Sequence, residues 1–394
     1  MKLGDICNKI GSGATPRGGK EAYKDSGIPI IRSQNVLDWS FSSDGLAYID
    51  DDQARALSNV EVKPGDVLLN ITGDSVARSC IVPNKLAPAR VNQHVSILRT
   101  NSRSNPVFLL AWLQSNKSLL LSLAASGATR NALTKTMLEK LDISLPSIDV
   151  QERIAGIVLS IQSKIEANAR LNGYLEELGQ ALTCKYLDSC ISNCLLSDIL
   201  ELGNGFAFKS GAYTENGRYK VLTIKNVQDG NVDCSSSSRL DELPIKMKEH
   251  CKLKPGDVVL SLTGNVGRVG IVAETSCLLN QRVAVLLPRD EHCLAGLYFI
   301  FRQQSFRSEM IGIAKGTAQA NLSPVETLRL SIPYDESAFQ ELSAILRPVF
   351  DGILANKIES LKLAEFRNLL LPKLMSGEID VSKIDLIQLN SHLA

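Results

Sequence analysis

The chain has 394 residues, of which 44% are hydrophobic and 22% charged. At about 150 residues per domain it holds two or three domains with real cores, and no run approaches the ~20 apolar residues of a membrane-spanning helix. Net charge is only +1, with +4 over residues 1–145 and +1 over residues 195–335. A bulk polycation is therefore excluded, and any nucleic-acid binding must use local patches or a partner's charge.

The opening segment, residues 1–11, lacks an apolar signal core, which predicts a cytoplasmic protein with no membrane association. Nine cysteines, at 7, 80, 184, 190, 194, 234, 251, 277 and 293, include no CxxC pair. Cys190 and Cys194 are four apart with no histidine nearby, so free thiols are expected rather than a zinc site. No metal site is predicted.

Internal repetition decides the architecture. Leu3-Gly4-Asp5-Ile6 recurs as Leu196-Ser197-Asp198-Ile199, Asn35-Val36 as Asn226-Val227, and Lys63-Pro64-Gly65-Asp66-Val67 as Lys254-Pro255-Gly256-Asp257-Val258. Asn92-Gln93 matches Asn280-Gln281, Gly127 through Thr134 matches Gly316 through Ser323, and Gln151-Glu152 matches Gln340-Glu341. All offsets lie between 187 and 193 and the order never changes. Each half reads as a Gly-rich mixed globule in which a tight Lys-Pro-Gly-Asp turn launches an apolar strand, Val67 to Ile71 or Val258 to Leu262. Helical pieces follow near residues 106–125 and 294–312.

Each half then changes character. Residues 151–187 and 340–371 lose nearly all turn residues and show apolar positions at 3/4 spacing: Ile154, Val158, Ile161 and Ile165, then Leu342, Leu346, Val349 and Ile353. Helices this long with one apolar stripe need partner stripes, and the two repeat-related helices are the natural pair, antiparallel about a pseudo-twofold axis. Asn168 and Asn356 interrupt the apolar seam near both midpoints and are expected to approach each other there and fix register. Pro348 is expected to kink or restart the second helix, and Gly173 and Gly179 to weaken the first. The fold class is α+β: a tandem pseudo-repeat of two globules joined by two long helices in an antiparallel coiled coil. The expected boundaries are 1–148 and 191–336 for the globules, 149–190 and 337–376 for the helices, and 377–394 for a tail.

Catalytic signatures are missing. No two prolines adjoin, which excludes the Asn/Asp-Pro-Pro-aromatic tetrad of amino-methyltransferases. Gly13 to Lys20 departs from a phosphate-binding loop by an extra glycine and by Glu21. Asp66 and Asp257 lie in tight turns, where aspartate binds neighbouring backbone. The four histidines form no repeat-consistent triad. What the loops offer is polar and basic. Thr15, Arg17, Lys20, Arg32, Gln34, Arg78, Gln93, His94 and Arg130 are DNA-contact candidates in the first half. Lys209, Lys225, Asn265, Arg268, Gln281, Arg282 and Gln319 are their counterparts in the second. Arg reads guanine and Asn or Gln reads adenine through paired hydrogen bonds, while Lys, Ser and Thr suit phosphates. The repeat-matched Asn35/Asn226 and Asn92/Asn280 are equally common builders of turns.

Taken in order, these segments resemble the specificity (S) subunit of type I restriction–modification systems. The resemblance rests on Leu-x-Asp-Ile followed by Gly-x-Gly-Ala-Thr-Pro (11–16), Lys-Pro-Gly-Asp-Val with a following Thr-Gly in both halves, and Gly-x-x-x-x-Asn-Leu-Ser (316–323). It is completed by Ile-Pro then Gln-Glu opening a long helix, and by Leu-Leu-Pro-Lys-Leu-Met-Ser-Gly-Glu-Ile (370–379). It covers essentially the whole chain. It implies two target-recognition domains, each reading one half of a split double-stranded DNA site, and a helix pair that sets the spacer and docks two methyltransferase subunits. Restriction subunits would join them. S-adenosylmethionine and ATP would be held by those partners, and no cofactor by this chain. The first helix departs from the pattern at Thr183-Cys184-Lys185-Tyr186-Leu187, and Pro348 has no mate, which puts strict equivalence of the two docking surfaces in doubt. Two readings from other classes stand beside this one: a pseudo-symmetric enzyme with its active site between the globules, and a protein-binding ruler with no DNA role.

Overall fold

In both repeats the Lys-Pro-Gly-Asp segment folds as a tight turn. Gly65 and Gly256 have φ of +83° and +97°, a region where a Cβ is costly. The aspartate side chain accepts the N–H of the lysine three residues back, Lys63 to Asp66 Oδ2 at 2.7 Å and Lys254 to Asp257 Oδ2 at 2.8 Å. Strands Val67–Asn70 and Val258–Ser261 leave these turns with every residue buried.

The computed structural model describes residues 1–16, 18–125, 131–316 and 320–393, with Gly19 and Lys20 described by backbone alone. The chain divides into two units, Met1–Lys164 with Leu363–Ala394, and Ile165–Lys362. Each unit therefore contains one globule and one segment of each long helix.

In the first unit, an antiparallel sheet orders Cys7–Ser12, Val95–Thr100, Val67–Asn70 and Ser79–Ile81. A second sheet orders Ala47–Ile49, Ile28–Ile31, Ala89–Val91 and Glu61–Val62, with a parallel pair at its centre. The second unit repeats both sheets. Leu200–Asn204, Val283–Pro288, Val258–Ser261 and Val269–Ile271 form the first, extended by the hairpin Val227–Gln228 and Gly230–Val232. Arg239–Leu240, Tyr219–Leu222, Cys277–Leu279 and Lys252–Leu253 form the second. Helices Pro106–Ser115 and Lys117–Ala125, and Leu294–Arg302 and Gln304–Ile313, lie where helical pieces were expected.

The long helices run Ile148–Ser189 and Glu336–Ser376. At 1.5 Å per residue each is about 60 Å long. Within each unit their segments pack antiparallel: Gln162 meets Arg367 in the first, and Asn172 meets Ile353 and Asn356 in the second. Ile154, Val158, Ile161, Leu346, Val349 and Ile353 are all buried. The second helix is not restarted at Pro348; it continues through it. Pro348 and Ala344, whose carbonyl the proline leaves without its helical N–H, both face solvent, so water can take over the lost bond. Gly179 is a packing requirement. A Cβ there would lie 2.2 Å from the Phe299 ring, so the glycine lets helix Leu294–Arg302 approach the long helix closely.

Asp66 and Asp257 differ in their surroundings. Arg99 Nε and Nη2 bond the two Asp66 oxygens at 2.7 and 2.8 Å. The cross-strand position matching Arg99 is Leu287, so Asp257 has no guanidinium partner among the described residues, and burial raises its carboxyl above the ordinary carboxylate value. Asp66→Asn leaves Arg99 with half its partner and should cost about 3 kcal/mol in denaturant unfolding. Asp257→Asn should be neutral to stabilising at pH 7. A raised folded-state pKa favours folding at low pH and loses that contribution as pH rises, so the variant's advantage should vanish below about pH 4, where the carboxyl is protonated in both states.

Candidate nucleic-acid interface

The residue that follows each central strand ties the neighbouring loops together through its backbone. Ile71 N–H donates to the His94 carbonyl at 2.9 Å, and the Ile71 carbonyl accepts from Leu133 N–H at 2.8 Å. One repeat later Leu262 N–H donates to the Arg282 carbonyl at 3.0 Å and its carbonyl accepts from Leu322 N–H at 2.7 Å. The next residues pair alike, Thr72 with Ala132 and Thr263 with Asn321. Gly73 N–H reaches the Asn131 carbonyl, and Gly264 N–H the Ala320 carbonyl. The glycine loops join in as well, through Gly13 N–H to the Asn92 carbonyl and Gly205 N–H to the Val283 carbonyl.

This scaffold gathers several candidates and sets their state. In the first globule, Thr15 donates to Gln93 Oε1, Gln93 Nε2 contacts His94 Nε2 at 3.1 Å, and His94 Nδ1 lies 2.6 Å from Thr72 Oγ1. With Gln93 as donor, the imidazole carries its proton on Nδ1 and Thr72 accepts it. At the equivalent positions of the second globule, Gln281 and Arg282 are exposed and have no side-chain partner among the described residues. Asn265, on the neighbouring loop, is exposed and unpartnered in the same sense.

Arg78 and Arg268 are structural mates: their carbonyls accept from Asn70 N–H at 2.8 Å and Ser261 N–H at 2.9 Å. Arg78 is half-buried with no side-chain partner among the described residues, whereas Arg268 Nη1 holds Gln228 Oε1 at 2.8 Å.

Other candidates lie apart from this gathering. Arg32 and Gln34 both donate to the Gly45 carbonyl, and Arg32 also lies over the Tyr23 ring, 5.3 Å from its centroid. They shape the loop they sit on. Lys209 and Lys225 are exposed on separate turns, with no side-chain partner among the described residues. Arg17, Arg130 and Gln319 lie outside the described residues, as does the Lys20 side chain.

The repeat-matched asparagines are builders. Asn35 accepts from Arg32 N–H at 3.0 Å and donates to the carbonyls of Ser42 and Asp44. Asn226 accepts from Thr223 N–H at 2.9 Å and donates to the Asp233 carbonyl. On the helix pair, Asn168 is buried and its amide donates to Glu359 Oε2 at 2.7 Å, Ser360 Oγ at 3.3 Å and the Asn356 carbonyl at 3.5 Å. Asn356 donates to Asn172 Oδ1 at 2.8 Å rather than to the Asn168 side chain.

Asp66 is buried and saturated by Arg99 and Lys63 N–H, which leaves it no free role in acid–base chemistry. Among the described residues no group of three or more His, Cys, Asp or Glu side chains is placed to hold a metal ion, and all nine cysteines are free thiols. No single helix among the described residues is long and apolar enough to cross a membrane.

The sequence reading missed Asp38 and Asp229. Asp38 accepts from Gln114 Nε2 at 3.1 Å and pairs with Lys117. Asp229 pairs with Arg302 at 3.3 Å and Arg307 at 2.9 Å. The available signal was that Asn-Val-x-Asp recurs at 35–38 and 226–229.

A family model described as the type I restriction modification DNA specificity domain matches residues 1–177 and again 193–363. The HindI type I restriction enzyme specificity subunit of Haemophilus influenzae is 23% identical over 461 aligned positions, which cover 96% of this chain and 98% of that protein. The MjaIX specificity subunit of Methanocaldococcus jannaschii is 22% identical, over 97% of this chain and 94% of its own. The crystal structure of the type I restriction–modification S subunit from M. genitalium is similar in fold, with a TM-score of 0.54 at 14% identity over 95% of both chains.

Proposed function

Because the chain belongs to the type I restriction–modification DNA specificity family and carries that domain twice, we propose that its two globules read the two halves of one split double-stranded DNA site. The observation that carries this reading is the duplicated backbone scaffold with unlike side chains at matching places. Gln93-His94 in one globule corresponds to Gln281-Arg282 in the other, on the same set of main-chain bonds. Two modules with one frame and different donors and acceptors are what reading two different half-sites requires.

In this reading the long helices separate the half-sites by an unread spacer, placing them on one face of the duplex about one turn, ~34 Å, apart. They also dock two methyltransferase subunits. Leu171, Tyr174 and Leu178 form an exposed apolar stripe on the first long helix, surface of the kind that a partner covers. Those partners hold S-adenosylmethionine and flip the target adenine out of the stack, and restriction subunits supply ATP-driven cleavage. The net charge of +1 fits an assembly in which the partners supply much of the phosphate clamp. The assembly works in the cytoplasm, where the DNA is.

The test is N6-methyladenine mapping of host DNA by long-read sequencing, with and without this gene. Loss of methylation at one asymmetric split motif is expected, and an unchanged map overturns the reading. Replacing one globule with a relative's should change one half of the motif and leave the other. Arg282→Ala, and separately Arg78→Ala, should weaken DNA binding of the assembled complex by about 1–3 kcal/mol through the corresponding half-site. If both variants bind as the parent does, these arginines are not base contacts.

A further inference from the structure

The second globule meets the long helices through a chain of charges rather than through apolar packing alone. Glu176, on the first long helix, accepts from the Tyr298 hydroxyl and lies 3.4 Å from Arg302 Nε. Tyr298 and Arg302 are on helix Leu294–Arg302. Arg302 Nη1 continues to Asp229 at 3.3 Å, and Arg307 Nη1 closes on the same carboxylate at 2.9 and 3.1 Å. Lys357, on the second long helix, donates to Asn231 Oδ1 at 3.0 Å.

Asp229 and Asn231 flank Gly230 in one hairpin turn. Gly230 has φ of +72°, and a Cβ there would stand 3.1–3.3 Å from Glu176 Oε1, Arg302 Nη2 and the Tyr298 hydroxyl. The turn is thus pressed onto the charges, and both long helices hold it. The Glu176 and Arg302 side chains keep only 16% of their exposure.

Such a network is a poor source of stability, because desolvation offsets most of its attraction. It is a good source of geometry. Apolar attraction is non-directional, whereas hydrogen-bonded ion pairs hold over a narrow range of distance and angle. The first globule keeps the same aspartate but not its partners. Asp38 takes Gln114 and Lys117 where Asp229 takes Arg302 and Arg307, and the Arg367 guanidinium of the second long helix stacks 4.3 Å from the Trp39 ring centroid.

We propose that Glu176, Arg302 and Asp229 are positioning residues that fix the rotation of the second globule on the helices and thereby hold the spacer of the recognised site to one length. They touch no DNA, and half-site base preference does not depend on them. The inference rests on the split-site reading above.

The experiment is N6-methyladenine mapping with the complete methyltransferase complex, comparing the parent chain with Glu176→Gln/Arg302→Met. The double variant removes both charges together and keeps an acceptor for Tyr298, so neither Glu176 nor Arg302 is left buried without the other. Both half-site sequences should persist, with about tenfold more methylation at spacers one base pair off length, equivalent to about 1.4 kcal/mol of lost discrimination. Methylation confined to the parent spacer, at full or reduced level, overturns the proposal, as does a changed base preference. If the double variant methylates nothing, Arg302→Lys decides. It keeps the charge but loses the forked geometry, so partial spacer relaxation supports the lock and an unchanged spacer overturns it. A parent map with no split motif would instead overturn the split-site reading itself.

Discussion

The main-chain stitch at Ile71 and Leu262 is the constraint on which the candidate interface depends. These residues directly follow a central strand, and the N–H and carbonyl of each bond two different loops. Backbone groups bond regardless of side chain, so the loops are anchored without using the residues that would read DNA. The same bonds hold Gln93-His94 in one globule and Gln281-Arg282 in the other. Divergence of the side chains therefore costs the scaffold little. A recognition module built from side-chain contacts could not vary its reading surface so freely.

The two globules have used that freedom differently. In the first, Thr15, Gln93, His94 and Thr72 bond one another, which pre-orders them and reduces the entropy lost on binding. In the second, Gln281, Arg282 and Asn265 remain unpaired among the described residues, so nothing in this chain orders them in advance. The turn aspartates diverge in the same way. Asp66 is locked by Arg99, whereas Asp257 carries a burial cost that Lys254 offsets only in part. One inherited fold thus tolerates opposite electrostatic solutions at equivalent positions, because the backbone turn needs only the Asp–Lys N–H bond.

The helix pair divides its work by region. Its apolar stretches bury Ile154, Val158 and Ile161 in the first unit and Leu346, Val349 and Ile353 in the second. Between Asn168 and Ser360 the second unit's seam is polar, with Asn168, Asn172, Asn356, Glu359 and Ser360 bonded across it. Buried amides demand specific partners or pay for desolvation, so they choose one register over its neighbours. Glycine serves here as well: Gly179 weakens an isolated helix, but Phe299 occupies the space that its missing Cβ leaves.

Much of this was legible in the sequence for reasons that are local. The repeat order, the Lys-Pro-Gly-Asp turns and the long 3/4-spaced helices follow from dihedral preferences and periodicity, which act over a few residues. The duplicated Asn-Val-x-Asp was also in plain view, but nothing local says that Asp38 meets a glutamine and a lysine and Asp229 two arginines from other elements. Pro348 shows the opposite limit. The sequence predicts a break, yet the ring and the freed carbonyl both lie on the solvent side, where a helix tolerates them. The sequence by itself determined the duplicated architecture, the turns and the polar loops. Only the tertiary structure decided which loop side chains are free and which, like Arg32, Asn35 and Asn226, are consumed in building. The reason is that a side chain's availability depends on how the chain folds back on it: Asn35 and Asn226 meet carbonyls seven residues on, and Thr15 meets Gln93 across 78 residues.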